Sequence, residues 1–454
     1  QLIKYTPNTG VIFDCLDYTK GFNNHSEIIL KNEDEAIKNE YTIFTSPILK
    51  EMIGQKETNF TFIRNACDFE YFNKMKIPKK NERKIIGYFG TISDWFDIDL
   101  ISYIIQEFPN CDFHLIGAVW CQNKNHEKKI KDLDKLNNVT LFGEIPYNEL
   151  HKYVSKFDIG LIPFIINDLI KCTNPVKLYE MLSLGLPVVM VNLPDVLTLE
   201  KDHLYYLSKD KFHFKENIEK ILYKKEKDVV EQRIKYASEN VWSYRVEKVI
   251  KVIENLTPFI SIVLLCWNNW KLTKRCIDSV IENTNYKYFE LIIVNNNSTD
   301  ETKQELKRYE KYKFITVVNN SENYGFAKGM NIGSLHCNYE YIVLMNNDTI
   351  ASKNWLYPLV KPLILNNYSC GSPITNNCGN EVKQFIDFKD VNDLMIKSGK
   401  LQFNKMYNKF EINRIPFFCP IIRKKLFYKV GMLDERYGRG GWEDDDILEK
   451  FKLL

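Results

Sequence analysis

The chain lacks several features that would decide its class early. Its 11 cysteines contain no Cys-x-x-Cys pair and are odd in number, which argues against a zinc site and against a disulfide framework. Reduced thiols in a cytosolic protein are the simpler reading. No apolar run approaches bilayer length, and Phe259 to Trp267 is among the longest. No signal peptide opens the chain, which starts at Gln1 and reads as a fragment at both ends. Neither charge dominates: 62 basic and 59 acidic side chains leave a net +3, without the clustered excess of a nucleic-acid reader. Short runs such as Lys79-Lys80 and Lys128-Lys129 read as solvated faces. No Gly-x-Gly-x-x-Gly follows an expected strand, which sets aside a dinucleotide-dependent oxidoreductase. There is no internal repeat and no low-complexity tract.

What is present is a long alternation of strand-like and helix-like segments. At 454 residues the chain exceeds one ordinary core and implies two to four domains. The alternation is that of α/β architecture with largely parallel sheets. The first half reads as a strand over 84–89 ending at Gly90-Thr91, a helix over 97–108, and strands over 112–116 and 139–142. A helix from Tyr147, a strand over 158–162, a helix over 176–184 closed by Gly185, and a strand over 187–191 follow. This is a Rossmann-like unit. Residues 206–255 read as amphipathic helices, Pro258 breaks the pattern, and a module boundary falls near 256. The second half opens with strands over 260–265, 289–294, 314–318 and 341–345, and with helices over 271–283 and 300–312.

In an open α/β sheet, ligands bind outside the carboxyl ends of the strands. Three polar clusters of the second half fall there: Cys266-Trp267-Asn268-Asn269, Asn295 to Asp300, and Asn346-Asn347-Asp348-Thr349. Asp348 suits a hard divalent ion that would neutralise a diphosphate leaving group. A plain turn explains the same residues, because Asn and Asp favour turns. Glu443-Asp444-Asp445-Asp446 precedes an apolar helical stretch. Acidic residues are favoured at any helix start by the dipole, which suffices for an isolated cluster; the functional reading is a general base that accepts a hydroxyl proton.

Five segments in order resemble the family 2 glycosyltransferases of GT-A fold, from about Ile260 onward. They are Ser261 to Asn268, Ile292 to Asp300, Asn323 to Asn331, Leu344 to Thr349 and Trp442 to Asp446, with a rhamnosyltransferase-like flavour. The resemblance implies an inverting transfer from a nucleotide-sugar. It implies Asn296 at the nucleotide base, Asn323, Lys328 and Asn347 as donor contacts, and Asp348 on the metal. Asp444 would be the base, with Glu443 positioning the acceptor. Many members carry Asp where this chain has Asn295 or Asn296 and Asn346 or Asn347, and fewer carboxylates mean weaker metal binding.

In the first half, Gly90 after a strand could let a diphosphate approach the backbone, as could an ordinary turn. Lys177 and Glu180 are three apart and share a helix face. A cation near a helix N-terminus suits phosphates and a carboxylate suits ribose hydroxyls, while a surface ion pair is the plainer reading. The segments Gly87 to Asp97, Phe142 to Tyr147, Asp158 to Pro163 and Asn174 to Val189 resemble the donor-binding domain of family 4-like glycosyltransferases of GT-B fold. Phe13 to Asp17 and Ile63 to Asp68 resemble the tail of that family's N-terminal domain. The resemblance implies Glu180 on the donor ribose and Lys177 on the diphosphate, with Gly90 and Asn174 as further donor contacts. Many members carry a second Glu eight residues before Glu180; this chain has Cys172.

The expected fold class is therefore α/β, a Rossmann-like GT-B C-terminal domain followed by a GT-A nucleotide-diphospho-sugar transferase domain. The expected divisions are 1–77 (a remnant of the GT-B N-terminal domain), 78–205, a helical tail over 206–256, and 257–454. The expected activity is sugar transfer to a hydroxyl in bacterial surface polysaccharide or lipopolysaccharide synthesis, with the GT-B half a second, retaining transferase. Mg²⁺ or Mn²⁺ is expected in the GT-A module and no cofactor in the other. The expected partners are a UDP- or dTDP-sugar donor and a glycan or lipid-linked glycan acceptor, with no nucleic acid. The expected location is cytoplasmic, with peripheral contact at the inner membrane face. The alternative is a nucleotide-sugar-binding scaffold without turnover, which would need no base.

Overall fold

The computed structural model describes residues 10–22, 26–54, 59–73, 82–199, 201, 203–223, 229–378, 382–404, 412, 414–438 and 441–453. The Lys79-Lys80 run lies outside the described residues. Two compact units divide the chain, one from Ile12 to Ile250 and one from Lys251 to Leu454 that also takes in Gly10 and Val11.

The first unit opens with a small parallel sheet of β1 (Ile12–Cys15), β2 (Tyr41–Phe44) and β3 (Phe60–Phe62). Its core gathers Cys15, Ile37, Phe44 and Leu49 around Cys172. Then come β4 (Lys84–Phe89), β5 (Cys111–Ile116), β6 (Val139–Gly143), β7 (Ile159–Ile162), β8 (Val188–Val191) and β9 (Tyr206–Ser208). These six are parallel, in the order β6-β5-β4-β7-β8-β9. Central parallel strands are covered on both faces and so are largely apolar. Ile86, Tyr88, Phe113, Leu115, Ile159, Leu161, Val188 and Val189 are all fully buried. Each aliphatic side chain among them contributes about 1.5–3 kcal/mol by leaving water.

Strand β9 differs from the sequence expectation, which gave residues 206–255 wholly to helices. Tyr206, Leu207 and Ser208 pair in parallel with Val189, Met190 and Val191 and close the sheet edge. Three residues are too few for a periodic signal, so pairing with β8 decides their conformation.

In the second unit, β10 (Ile260–Cys266), β11 (Phe289–Asn295), β12 (Ile315–Asn319) and β13 (Tyr341–Asn346) are parallel. Two short strands, β14 (Cys370–Gly371) and β15 (Ile421–Arg423), add antiparallel, giving the order β12-β11-β10-β13-β15-β14. The helix expected over 300–312 is shorter: an α-helical turn, Thr302–Leu306, passes into a 3-10 turn, Lys307–Tyr309. In both large sheets the strand order reverses beside the first strand, at β4/β7 and at β10/β13, which opens a crevice at the carboxyl ends.

Candidate functional site

In the first unit the crevice is lined from three segments. Helix α1 (Phe69–Asn73) precedes β4, helix α2 (Tyr147–Val154) follows β6, and helix α3 (Val176–Ser183) precedes β8. Gly90 follows β4 directly, with φ +116°, a conformation that favours glycine. A Cβ there would stand 2.7 Å from Lys177 Nζ. Lys177 reaches the turn from α3, donates to the Tyr88 hydroxyl at 3.0 Å, and lies 4.5 Å and 4.9 Å from the ring centres of Tyr88 and Phe164. Burial against these rings pulls the ammonium down to about 8, partly offset by Glu180. A cation held among aromatic rings and aimed at a glycine turn is an anion site in waiting.

Glu180 lies on the same helix, 5% exposed, and burial raises its carboxyl to about 7. Its Oε1 accepts a hydrogen bond from the Tyr147 hydroxyl at 3.1 Å. Asn174 sits behind these groups. Its amide donates to Asp195 Oδ2 at 2.7 Å, and its Oδ1 accepts from the Asn65 N–H and the Tyr179 hydroxyl. Asn174 is thus engaged in tying residues 64–65 to α3. Cys172 is buried in the core of the small sheet, and burial pushes its thiol up to about 11. It is a packing residue, inert as a nucleophile. His114 packs edge-on to Phe142, and the buried His151 meets the Tyr71 hydroxyl.

In the second unit, the register aligns the polar strand ends. Cys266 faces Asn295, Asn295 faces Asn319, and Leu265 faces Asn346. The loops are then stitched by Asn side chains. Asn268, Asn269 and Asn297 adopt left-handed backbone angles near +55°, which Asn tolerates better than other non-glycine residues. Asn268 Oδ1 accepts from the Thr299 N–H at 2.7 Å, and its own N–H donates to Ser298.

Asn296 is 2% exposed and fully committed. Its Nδ2 donates to Asn323 Oδ1 (2.8 Å) and to the Gly325 carbonyl (3.0 Å), while its Oδ1 accepts from Asn320 (2.9 Å) and the Tyr324 N–H (3.1 Å). Asn323 also accepts from the Gly325 N–H at the start of helix α4 (Gly325–Leu335). Lys328, in the next turn, lies 4.1 Å above the Tyr324 ring.

After β13, Asn347 donates to Thr273 at 2.8 Å, and Asp348 is exposed. The Asp348 carboxylate carries no ion pair among the described residues. Two residues earlier in the chain, the buried Oδ1 of Asn346 has no hydrogen-bond partner among the described residues. A buried acceptor without a donor is rare, and a hard cation satisfies such an oxygen as well as a donor does. No group of three or more His, Cys, Asp or Glu that could hold a metal occurs among the described residues. The protein could supply one carboxylate and amide oxygen, which fits an ion held mainly by donor phosphates.

Helix α5 (Glu443–Lys452) buries Ile447 and Leu448 in the cluster that contains Leu265, Val294, Leu344 and Met330. Its four acids have separate uses. Glu443 is buried and accepts from the Gly441 and Trp442 N–H groups. Asp445 pairs with Arg414 at 3.0 Å and Asp446 with Lys450 at 2.6 Å. Asp444, half-buried, accepts from the Asp445 N–H and has no cation partner among the described residues, and burial raises its carboxyl. Loop N–H groups and basic side chains thus engage three of the four, while Asp444 is met by a single first-turn N–H and no cation among the described residues.

Sequence reasoning passed over Tyr88 and Tyr147. Both stand within segments quoted for their resemblance, yet the Lys177 and Glu180 side chains that meet their hydroxyls come from α3, 89 and 33 residues away. The available signal was a tyrosine next to a strand-end glycine or at a helix start.

The model of "Glycosyl transferases group 1" matches residues 83–224. That of "Glycosyl transferase family 2" matches residues 261–431. The chain is 25% identical over 215 residues to TuaH of Bacillus subtilis (strain 168), a glycosyltransferase named for teichuronic acid biosynthesis, covering 43% of this chain and 53% of that one. It is 31% identical over 112 residues to an uncharacterized glycosyltransferase of Haemophilus influenzae, covering 24% of this chain and 34% of that one. It thus spans about half and a third of these relatives. A crystal structure of GalNAc-T7 aligns over 43% of this chain and 40% of its own, with 20% identity and a TM-score of 0.35. Two glycosyltransferase modules therefore stand in tandem in this chain, one matching group 1 over residues 83–224 and one matching family 2 over residues 261–431.

Proposed function

We propose that the second unit transfers a sugar, with inversion, from a nucleotide-diphosphate donor to a hydroxyl of a glycan or lipid-linked glycan. Asp444 takes the acceptor proton as the new bond forms, and Glu443 shapes the loop in front of it. Asp348 and the Asn346 amide oxygen would hold Mg²⁺ or Mn²⁺, which when bound neutralises the diphosphate leaving group. Asn347, Asn323 and Lys328 border the donor, and Asn296 shapes the base pocket through the loop it holds. The first unit binds a second nucleotide-sugar, with Lys177 and the Gly90 turn at the diphosphate and Glu180 at the ribose. It would act as a retaining transferase without a metal. The donor is a UDP- or dTDP-sugar. The setting is surface polysaccharide synthesis at the cytoplasmic face of the membrane, a reading supported by the name of TuaH. No helix among the described residues is long and apolar enough to cross a membrane.

The observation that carries this reading is that, among the described residues, the Asp348 carboxylate has no ion pair and the buried oxygen of Asn346, two positions before it at the β10/β13 reversal, has no hydrogen-bond partner. A thermal-shift panel of UDP-, dTDP- and GDP-sugars with and without Mn²⁺ tests it. One donor class should raise the melting temperature in a Mn²⁺-dependent way, and Asp348→Ala should remove that component. An equal Mn²⁺-dependent shift in Asp348→Ala would sink the assignment. Binding without transfer would favour a scaffold.

A further inference from the structure

We propose that Tyr147 is a positioning residue of the first unit's donor site: its hydroxyl holds Oε1 of Glu180 and so presents Oε2 to the donor. The proposal rests on the reading of Glu180 as the ribose-binding carboxylate. Among the described residues, Tyr147 is the one hydrogen-bond partner of the Glu180 carboxylate. A buried carboxylate needs such a donor, because burial alone favours its neutral form.

Tyr147 is itself clamped, although half of its surface is exposed. Its ring stacks on Tyr71 with centroids 5.2 Å apart and planes at 21°, and Phe72 meets it edge-on at 5.9 Å. The Tyr71 hydroxyl lies 2.6 Å from the Tyr147 carbonyl oxygen, to which it donates, and 2.6 Å from His151 Nδ1. An exposed side chain held this way has given up rotamer freedom, and what the clamp fixes is the direction of one hydroxyl. The other titratable groups facing Glu180 are Lys177 on its own helix, Asp68, and the Cys67 thiol. Lys177 favours the carboxylate and Asp68 opposes it, so the Tyr147 hydrogen bond acts with Lys177 to keep Glu180 ionised near neutrality.

Calorimetric titration of the full chain with UDP, dTDP and GDP in EDTA, from pH 5.5 to 8.5, tests this while silencing a metal-dependent site. In the wild type, affinity should rise as Glu180 ionises around pH 7, before Lys177 loses its proton near pH 8 in wild type and variants alike. Tyr147→Phe keeps the stack and loses the hydroxyl. It should move that rise to higher pH and weaken binding about five-fold at pH 6.5, with little loss at pH 8. Glu180→Gln should abolish the rise. Should Tyr147→Phe melt early, Tyr71→Phe loosens the same clamp and should give a smaller shift of the same sign. A wild-type pH profile in the Tyr variants, with Glu180→Gln impaired, overturns the role of Tyr147. Wild-type binding by Glu180→Gln instead overturns the ribose reading beneath it.

Discussion

The Lys177 ammonium occupies the space that a side chain at Gly90 would need: a Cβ there would stand 2.7 Å from Nζ and 3.2 Å from Cε. The two residues lie on different elements, one after β4 and one on α3, and each fixes the other. Gly90→Ala should therefore act twice. The lysine tip can swing away, but φ +116° remains strained for alanine, at about 1–3 kcal/mol. We expect the melting temperature to fall by roughly 2–8 °C and metal-free nucleotide affinity to fall about ten-fold as the ammonium leaves the turn. Calorimetry in EDTA and a thermal melt check both, and unchanged affinity would contradict the Gly90–Lys177 site.

Glu180 makes the first unit's stability depend on pH. Its folded value of about 7 lies above its ordinary 4.5. The contribution is thus fully present below about pH 4.5 and is lost as pH rises through about 7. Lys177 runs the other way: held down at about 8, it loses stability as pH falls through that value, and it is mostly protonated where Glu180 ionises. Glu180→Gln cannot ionise. Relative to the wild type, the variant should gain roughly 1–3 kcal/mol between pH 5 and pH 7.5. Urea unfolding at the two pH values measures this, and an equal difference at both would refute the raised carboxyl.

Much of this was legible because parallel strands bury both faces and so write themselves as apolar runs. Ile260 to Leu265 and Lys84 to Phe89 could hardly be read otherwise. The polar ends were legible for the same reason, since Asn295 to Asp300 and Asn346 to Thr349 interrupt such runs abruptly. What stayed hidden depends on contacts distant in sequence. Tyr206 to Ser208 is a strand only because β8 lies beside it. The four acids at 443–446 look alike in sequence, and only Arg414, Lys450 and the backbone of the preceding turn separate Asp444 from the rest.

Asn296 tests the difference between touching a ligand and holding a loop. Its amide makes two donations and two acceptances, all within the protein. Asn296→Asp keeps the acceptors but turns a carboxylate oxygen toward Asn323 Oδ1 and the Gly325 carbonyl. It should destabilise the second unit by about 2–4 kcal/mol and lower its melting temperature by roughly 5–15 °C. Asn296→Ala should do no worse. A wild-type melt for Asn296→Asp would mean that the side chain is free to serve the donor directly.

Asp444 is separated from its neighbours by what removal should cost. Asp445 and Asp446 make ion pairs at least partly open to solvent, and such pairs contribute about 0–1 kcal/mol. Their Asn variants should keep transfer and lose little stability. Asp444 has no cation partner among the described residues, and burial holds its carboxyl above the ordinary 3.8. Asp444→Asn removes a buried charge and a proton acceptor together. Stability should hold or rise slightly, while transfer falls by about 10²–10⁴. In the wild type, kcat/KM should climb with pH through a value above that of an ordinary aspartate, as the base ionises. Product formation across pH, with the donor class that shifts the melt, measures both. If Asp444→Asn retained normal transfer with the same acid limb, the base would have to be another group.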